Sequence, residues 1–311
     1  MWIYIARRLF YGVLVLLGAT AILFVVLSVF GGDPVLAYLG KSATEAEISA
    51  MRNQLGLDRP LLVQYLDYLG QLASGDFGTS WQTRQPVGDL IRAGAGPSLG
   101  FTVPALLATT FLAICVGLAA ALFRGRALDR GLMAIAVMGM SISFLVYIVV
   151  FQYLFAYVWP LFQIHGYDGG LRERWQYIGL PIVIMVIVGL GYESRFYRSV
   201  LVEEIARDHV TTAHAKGAGP ARVLCFHVLG NALIPIITRV MISVPFLVTG
   251  SLLIEAFFGI PGLGNALLTA IETADFPVIR ALTALIAVIF VLSTIANDIL
   301  YALVDPRVRL E

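Results

Sequence analysis

The sequence has little charge for its length. Only 13% of its 311 residues are Asp, Glu, Lys or Arg, and the formal net charge is +1. A soluble domain usually carries about 25% charged residues. A nearly neutral chain also offers no overall field that would attract nucleic acid. These shortages argue against a soluble domain and against a nucleic-acid partner.

Cysteine and histidine are also scarce. Cys115 and Cys225 are the only two cysteines, too few for a disulfide framework or a cysteine metal site. The four histidines show no His-Glu-x-x-His spacing of a zinc site. Each cysteine is predicted to be a small buried apolar residue, and we expect no metal ion or cofactor in this chain.

Apolar residues are what the sequence has in abundance. They make up 59% of the chain, and the mean hydropathy is +0.85, which is typical of a polytopic membrane protein. About 20 apolar residues cross the hydrocarbon core, and the first run is too long for a signal peptide. The chain is therefore predicted to be all-α, a single domain over 1–311 with six spans at 9–30, 99–123, 132–158, 177–198, 232–257 and 280–303.

A polar insert at 31–97 separates the first two predicted spans. Thr44 and Glu47 form a capping box, which predicts a helix that Gly56 ends. Pro60 opens a second helix, whose predicted apolar face holds Leu62, Tyr65, Leu66 and Leu69. The insert is either a lid or docking surface, or it packs over the outer ends of the spans.

A short elbow is predicted at 208–231, between the fourth and fifth spans. Asp208 can N-cap a helix through Lys216, and Gly217 fits the left-handed stop of that helix. Pro220 suits the first turn of a second helix. Helices this short need a surface to pack against, and small alanines keep the elbow narrow enough for a groove.

The elbow resembles the cytoplasmic coupling loop of ABC-importer permeases, in the form found in peptide transporters. The matching residues are Val210, Thr212, Ala213, Ala215, Lys216 and Gly217, followed nine residues later by His227, Leu229, Asn231 and Ala232. The sequence departs from that form at His209, where an aromatic residue is usual, and at Gly230, where a basic residue is usual. In the coupling loop of ABC-importer permeases in general, Glu is usual at the position of Thr211.

The resemblance extends over the whole chain. The other matching motifs are Leu55 to Pro60, Gln64-Tyr65, Gly75 to Ser80, Glu255 with Phe258 and Pro261 to Gly264, and Tyr301 with Asp305 to Arg307. The chain is thus similar to permease subunits of the dipeptide, oligopeptide and nickel importer family.

The resemblance implies a type I importer fold and a set of partners. These are a homologous second permease in a heterodimer, an extracytoplasmic substrate-binding protein, and two cytoplasmic ATPase subunits that bind ATP and Mg²⁺. Short peptides are the expected cargo, with nickel complexes, glutathione or other peptide-like molecules as alternatives. The residues expected to contact the ATPases are Thr212, Ala213, His214, Ala215, Lys216, Gly217 and Ala218.

Arginine and lysine residues predict the orientation, because they concentrate in cytoplasmic loops. One side of the predicted spans holds Arg7, Arg8, Arg124, Arg126, Arg130, Arg195, Arg198, Arg207, Lys216, Arg222, Arg307 and Arg309. The opposite side holds Arg172, Arg174 and Arg280. Both termini and the elbow are therefore expected in the cytoplasm, and the insert outside, in the inner membrane of a prokaryote.

Polar residues inside the predicted spans are few and mild. They are Ser141, Ser143, Tyr147, Gln152, Tyr153, Ser243 and Thr249, which either line a wet translocation path or make hydrogen bonds between helices. The ionisable residues Glu193, Arg195, Arg239, Glu255 and Asp298 are expected near span ends. A stand-alone secondary transporter would place a carboxylate at mid-membrane, so this distribution argues against one.

Catalytic motifs are incomplete. Gly40-Lys41-Ser42 looks like the end of a P-loop, but the earlier glycine of that motif would fall at Val35. No clustered Ser–His–Asp or Ser–Lys arrangement supports a membrane-embedded enzyme. We therefore expect no enzymatic activity in this chain.

Overall fold

The computed structural model describes residues 2–31, 35, 39, 43–54, 56–168, 170–249 and 252–304. All regular elements in these ranges are helical, and one isolated bridge joins Thr79 and Pro86. The predicted all-α class is therefore confirmed. Gly40-Lys41-Ser42, Leu55, Gly169 and the end of the chain after Val304 lie outside the described residues.

The α-helices follow one another along the whole chain. They are α1 (Trp2–Phe30), α2 (Glu45–Gln54), α3 (Leu61–Ser74), α4 (Val87–Leu122), α5 (Ala127–Ser141), α6 (Phe144–Gln152), α7 (Leu171–Ile205), α8 (Asp208–Ala215), α9 (Pro220–Arg222), α10 (Leu229–Thr249), α11 (Leu252–Phe258), α12 (Leu263–Glu272) and α13 (Phe276–Val304). Two π-helical segments extend α6 and α9: π1 (Tyr153–Val158) and π2 (Val223–Val228).

Several helices are long and apolar enough to cross a membrane. Five do so singly, at 6–30, 87–122, 173–205, 220–248 and 276–303. Two further pairs, α5 with α6–π1 and α11 with α12, pass the same test together but are bent by 89° and 90°. The multi-pass character is confirmed, with five to seven spans against the six expected.

The predicted third span, 132–158, is not one straight helix. Ile142 and Ser143 have extended backbone between α5 and α6. The last carbonyls of a helix have no partner within it, and the Tyr147 hydroxyl donates to one of them, the Gly139 oxygen, at 2.8 Å. A tyrosine from the next helix therefore stabilises the bend, which the hydropathy of the sequence does not show.

The predicted fifth span, 232–257, also differs from the structure. Helix α10 ends at Thr249, and the following α11 bends sharply toward α12. The segment 259–279, which lies between the fifth and sixth predicted spans, contains α12 and the first turn of α13. Hydropathy averaged over a window does not distinguish one long helix from two short ones at an angle.

The insert begins as expected. The Thr44 hydroxyl and the Glu47 carboxylate form the capping box of α2, with Glu47 accepting from the Thr44 backbone and hydroxyl at 2.8 Å. Gly56 follows that helix with φ 66°, and Pro60 is the N-cap of α3. The capping box and both breakers are confirmed.

The predicted apolar face of α3 is only partly covered. Leu62 and Leu66 are 69% and 57% exposed, whereas Tyr68 is buried. The Tyr65 hydroxyl donates to the Leu17 oxygen of α1 at 2.8 Å. Helix α3 therefore lies beside the C-terminal half of α1 rather than over its end, because its tyrosines combine apolar rings with hydroxyls that reach the neighbouring backbone.

Two compact units share the chain, 1–99 with 245–295 and 100–244 with 296–310. Each has its own apolar cluster. The buried residues of the first are Val87, Leu263, Ala270, Phe276, Val278, Ile279, Ala281 and Leu282. The buried residues of the second include Ala113, Ala121, Tyr197, Leu201, Val210, Ala213, Val223, Leu224, Val228, Ala232 and Ile236. A single domain over 1–311 stays a prediction.

Candidate functional site

The elbow begins one residue earlier than expected. Arg207, with φ −81° and ψ 153°, is the N-cap of α8, and Asp208 is the first helical residue. The prediction that Asp208 is the N-cap is therefore wrong. Its negative charge in the first turn still complements the positive end of the helix dipole.

A Schellman motif ends α8. Gly217 has φ 81°, its N–H donates to the His214 oxygen at 2.9 Å, and the Ala218 N–H donates to the Ala213 oxygen at 3.1 Å. This pair of bonds requires a left-handed residue at the position of Gly217. The predicted glycine stop is confirmed.

The second half of the elbow also starts as predicted. Gly219 is the N-cap and Pro220 the first residue of α9. After one turn the chain continues as π2 and then α10 without a break. The segment π2 lies where the elbow joins the long helix α10. Such π-helical turns are rare and concentrate at functional sites.

The elbow packs on an apolar cluster formed by three long helices. Tyr197 and Leu201 come from α7, Ala113 from α4 and Ile236 from α10. Gly117 of α4 lies so close to α7 that a Cβ atom there would be 3.1 Å from the Arg198 nitrogen. Small residues bring the helices together, and α8 packs on the cluster that they share.

The residues expected to contact a partner fall into two groups. Thr212, His214, Ala215, Lys216 and Gly217 are exposed, whereas Ala218 is half-buried. Ala213 is only 7% exposed and belongs to the apolar cluster. We call the exposed group the elbow rim; Ala213 supports this rim from below because it occupies the inward face of the helix.

Polar side chains fix the entrance of the elbow. Glu204, only 5% exposed, accepts from Arg207 at 3.0 Å. His209 Nε2 lies 3.5 Å from Glu204 and 3.1 Å from the Asn231 amide. His209 therefore contacts residues of its own chain. Glu204 was not identified from the sequence because an acidic residue at a helix end normally reads as solvent-exposed.

A second polar anchor lies on the same long helix α7. Arg198 makes two hydrogen bonds to Asp129, at 2.5 and 2.7 Å, and the Gly125 N–H donates to the same carboxylate at 2.8 Å. Asp129 is 3% exposed. Bidentate charge-assisted pairs of this kind are strong and directional. The pair fixes α5 against α7.

A buried carboxylate organises the other unit. Glu255, fully buried, accepts from the Ser98 hydroxyl at 2.7 Å and from the Asn265 N–H at 2.7 Å, while the Leu263 N–H donates to Ser98 at 2.8 Å. Together they satisfy the first N–H groups of α12. A Cβ atom on Gly262 would lie 2.4 Å from the Ser98 hydroxyl. We call this group the carboxylate cap.

A second carboxylate in this unit holds the turn at Ser80. Asp275 accepts from the Ser80 hydroxyl at 2.5 Å and from the Trp81 N–H at 3.1 Å. Glu255 belongs to the motif from Glu255 to Gly264, and Asp275 contacts Ser80, the last residue of the motif from Gly75 to Ser80. Both motifs therefore hold neighbouring segments of this unit together.

Two family models match the chain. The model for the inner membrane component of binding-protein-dependent transport systems matches residues 113–310, and the model for the N-terminal part of such components matches residues 1–93. The chain belongs to this family. It is a permease subunit of an ABC importer, which works with a substrate-binding protein and with ATPase subunits.

Individual relatives match over nearly their full length. A glutathione transport system permease protein of Salmonella choleraesuis is 33% identical over 311 residues, 98% of each chain. A protein of Brucella suis named as a peptide permease is 33% identical over 314 residues, again 98% of each. A protein of Sinorhizobium fredii named as a probable peptide ABC transporter permease is 31% identical over 312 residues, covering 99% of this chain and all of the relative.

The proposed path residues of the permease make mainly local contacts. Tyr147 holds the bend between α5 and α6, Gln152 donates to the Ile164 oxygen at 3.1 Å, and Ser243 donates to the Arg239 oxygen at 3.2 Å. Ser141 donates to the Val137 oxygen at 2.8 Å. The remaining candidates are Ser143 and Tyr153, which are exposed, and Thr249, at the end of α10. Their role in transport stays a prediction.

An ion pair joins two of the long apolar helices of the permease. Arg239 of α10 donates to both Glu193 oxygens of α7, at 2.9 and 3.1 Å. Both residues lie within helices that are long and apolar enough to cross a membrane. The expectation that ionisable residues lie near span ends stays a prediction, and the importer assignment rests on the family.

The last two predictions to compare with the structure concern the cysteines and a metal site. Cys115 and Cys225 are exposed in the single chain, so the prediction that they are buried is wrong. Among the described residues, no group of three or more His, Cys, Asp or Glu side chains could hold a metal ion.

Proposed function

We propose that this permease carries short peptides inward across the cytoplasmic membrane and that the elbow rim receives the motion of the ATPase subunits. The observation that carries the proposal is the exposed rim on a rigid elbow rooted in α4, α7 and α10. The names of the relatives support peptides as cargo.

The elbow has the mechanical properties that coupling requires. Helix α8 is closed by the Schellman motif and seated on the apolar cluster, so it moves as a unit. Closure of the ATPase pair would press on the rim and displace the ends of α7 and α10 together. The change would be a rigid-body switch between two states of the permease, biased by the state that the ATPases favour.

The partner and cofactor proposals follow from the same family. The second permease is proposed to be a homologous chain in a heterodimer, with a homodimer as the alternative. ATP and Mg²⁺ are proposed to bind only to the ATPase subunits. A preparation of this chain free of those subunits should therefore release no phosphate from ATP, and genuine turnover would contradict the assignment.

Glutathione is the second candidate cargo, because relatives 33% identical over 98% of the chain are named for it. Uptake of radiolabelled dialanine and glutathione should be measured in cells lacking this gene, with and without the wild-type gene restored. Restored dialanine uptake supports the peptide proposal. Restored uptake of glutathione alone would replace it, and uptake by this chain alone in vesicles would indicate a secondary transporter.

The proposed topology has both termini and the elbow in the cytoplasm, from the distribution of arginine and lysine. It can be tested by Lys216→Cys in a background where Cys115 and Cys225 are replaced by serine. Gln82→Cys, an exposed position of the insert, serves as the matched control. An impermeant thiol reagent added to cells with a permeable outer layer should label position 82 only; labelling of position 216 would contradict the orientation.

A further inference from the structure

A pocket of about 570 Å³ lies between α1, α3 and the start of α13. Its volume falls within the range of small-ligand sites. The polar part of its wall includes Ser28, Gln64, Gln71, Asp58, Asp76 and Arg280. No residue of the elbow lines it, so it is a separate feature of the unit formed by 1–99 and 245–295.

Arg280 is a cation without an acidic partner in the described part of the chain. Its guanidinium lies over the rings of Phe24 and Tyr68, 4.9 and 5.7 Å from their centroids. Its Nε is buried and makes no hydrogen bond to any described residue, and no described carboxylate lies within 4.0 Å. A partly buried guanidinium without a counter-charge is unfavourable, so Arg280 would favour an anionic group of a ligand in this pocket.

One contact between α3 and α13 does not depend on the guanidinium. The Tyr68 hydroxyl donates to the backbone oxygen of Arg280 at 3.2 Å, and any residue at position 280 retains that oxygen. Burial raises the pKa of Tyr68 to about 12, against a smaller opposing effect of the Arg280 charge. The phenol is therefore a neutral donor at physiological pH, and it does not neutralise the arginine.

The pocket also carries negative charge. Asp58 and Asp76 line it and supply this negative charge, and Arg52 is a second cation in its wall. Asp76 uses one carboxylate oxygen to accept from the Gly78 N–H at 3.0 Å. A ligand with a single negative charge would meet these acids as well as Arg280, whereas a ligand with both charges matches both parts of the wall.

We propose that this pocket binds a small zwitterion of the amino acid or short-peptide class, whose carboxylate pairs with Arg280 and whose ammonium group lies toward Asp58 and Asp76. Guanidinium and carboxylate have matching planar geometry. The side of the membrane from which the ligand enters rests on the proposed topology. The binding itself does not.

The test is equilibrium dialysis of radiolabelled dialanine against the full-length chain, co-purified with its partner subunits in detergent, without ATP or binding protein. The compared proteins are the wild type, Arg280→Gln, Arg280→Lys and the matched control Arg59→Gln. Arg59 pairs with Asp67 on the exposed side of the same insert and does not line the pocket. Size-exclusion profiles and melting curves establish that each variant is folded.

We expect saturable binding that weakens about tenfold or more in Arg280→Gln, since a charge-assisted bond is lost. Arg280→Lys should retain part of the affinity, and Arg59→Gln should match the wild type. Dialanine amide, which lacks the carboxylate, should bind about as weakly to the wild type as dialanine binds to Arg280→Gln. N-acetyl dialanine should also bind more weakly, because it lacks the ammonium group.

Three results would overturn the proposal. The first is unchanged dialanine affinity in folded Arg280→Gln, and the second is equal affinity of the wild type for dialanine and its amide. The third is a phospholipid that co-purifies with the wild type and not with Arg280→Gln, while dialanine does not bind, which would make the pocket a lipid headgroup site. Uptake through the importer is measured separately, so loss of this site and failure of the proposed transport function are distinguishable.

Discussion

The elbow and the carboxylate cap both join helices at sharp angles, and they do so by opposite means. In the elbow the backbone sets the angle: Gly217 has φ 81°, and no side chain caps either end of α8. In the carboxylate cap, side chains set the angle, because buried Glu255 and Ser98 satisfy the N–H groups that begin α12.

The difference is consistent with the role proposed for each region. A surface that receives a partner needs exposed side chains, so its shape is best fixed by backbone conformation and by small residues packed beneath it. A joint that only holds helices together can use buried hydrogen bonds, which are costly to break. Changes in the cap should therefore reduce the amount of folded permease, and changes in the elbow should reduce transport per molecule.

The largest effect on stability is expected at the cap, for Gly262→Ala. The added Cβ would lie 2.4 Å from the Ser98 hydroxyl and 2.5 Å from a Glu255 oxygen, so the cap must open. We expect a loss of about 3 kcal/mol or more, seen as a lower melting temperature in detergent and less permease in the membrane. Gly219→Ala is the matched control, because a Cβ there meets no atom within 4 Å. Wild-type melting of Gly262→Ala would show that the cap is not a rigid joint.

Gly217→Val should have a smaller effect on stability and a larger one on transport. A β-branched residue at φ 81° costs about 1–2 kcal/mol, which α8 can relieve by extending or tilting. We expect a normal amount of permease, weak co-purification of the ATPase subunits and little dialanine uptake. Gly219→Val is the control, since its φ of −64° suits any residue.

The same experiment separates coupling from folding at Gly217. Uptake that falls only in proportion to the amount of permease would mean that Gly217 merely helps the chain fold. Full uptake with normal ATPase co-purification would remove the elbow from its central place in coupling.

Arg198→Lys tests a side-chain joint in the same unit as the elbow. Lysine keeps the charge opposite Asp129 but cannot make the bidentate pair at 2.5 and 2.7 Å. We expect a loss of about 1 kcal/mol in melting experiments, with uptake per folded molecule unchanged. A drop in uptake per molecule would show that side-chain joints also transmit motion, and the comparison of the two regions would then fail.

The smallest effect is expected for Glu47→Gln in the exposed capping box of α2. Hydrogen bonds from the Thr44 backbone and hydroxyl hold the pKa of Glu47 below its ordinary value. The stabilisation is therefore present above pH 4.5, the ordinary value, and is lost as pH falls through the lower folded value. Deuterium uptake by 45–54 should be slightly faster in the variant than in the wild type at pH 7.

The difference between the two proteins should disappear as pH falls through the lowered folded pKa of Glu47, because the carboxylate of the wild type is then protonated. Ser49→Ala, on the same exposed helix and outside the capping box, is the control. A difference between wild type and Glu47→Gln that stayed constant throughout an acid titration would mean that the carboxylate charge does not hold the cap.

The sequence by itself determined the class of the protein and its local turns. Apolar runs indicate membrane spans wherever they occur, and Gly217, Pro220 and the Thr44–Glu47 pair act through neighbours a few residues away. Such signals depend on intrinsic backbone preference and solvation, and the structure confirms them. The family resemblance rests on the same short motifs, and the comparisons bear it out.

Only the tertiary structure decided which polar groups meet. Ser98 and Glu255 are separated by 157 residues, and Asp129 and Arg198 by 69. It also decided that Ala213 faces inward, that Tyr68 of α3 is buried while Leu62 and Leu66 are exposed, and that Arg280 lines a pocket. Long-range pairing depends on how helices pack, and the preferences of neighbouring residues do not encode that packing.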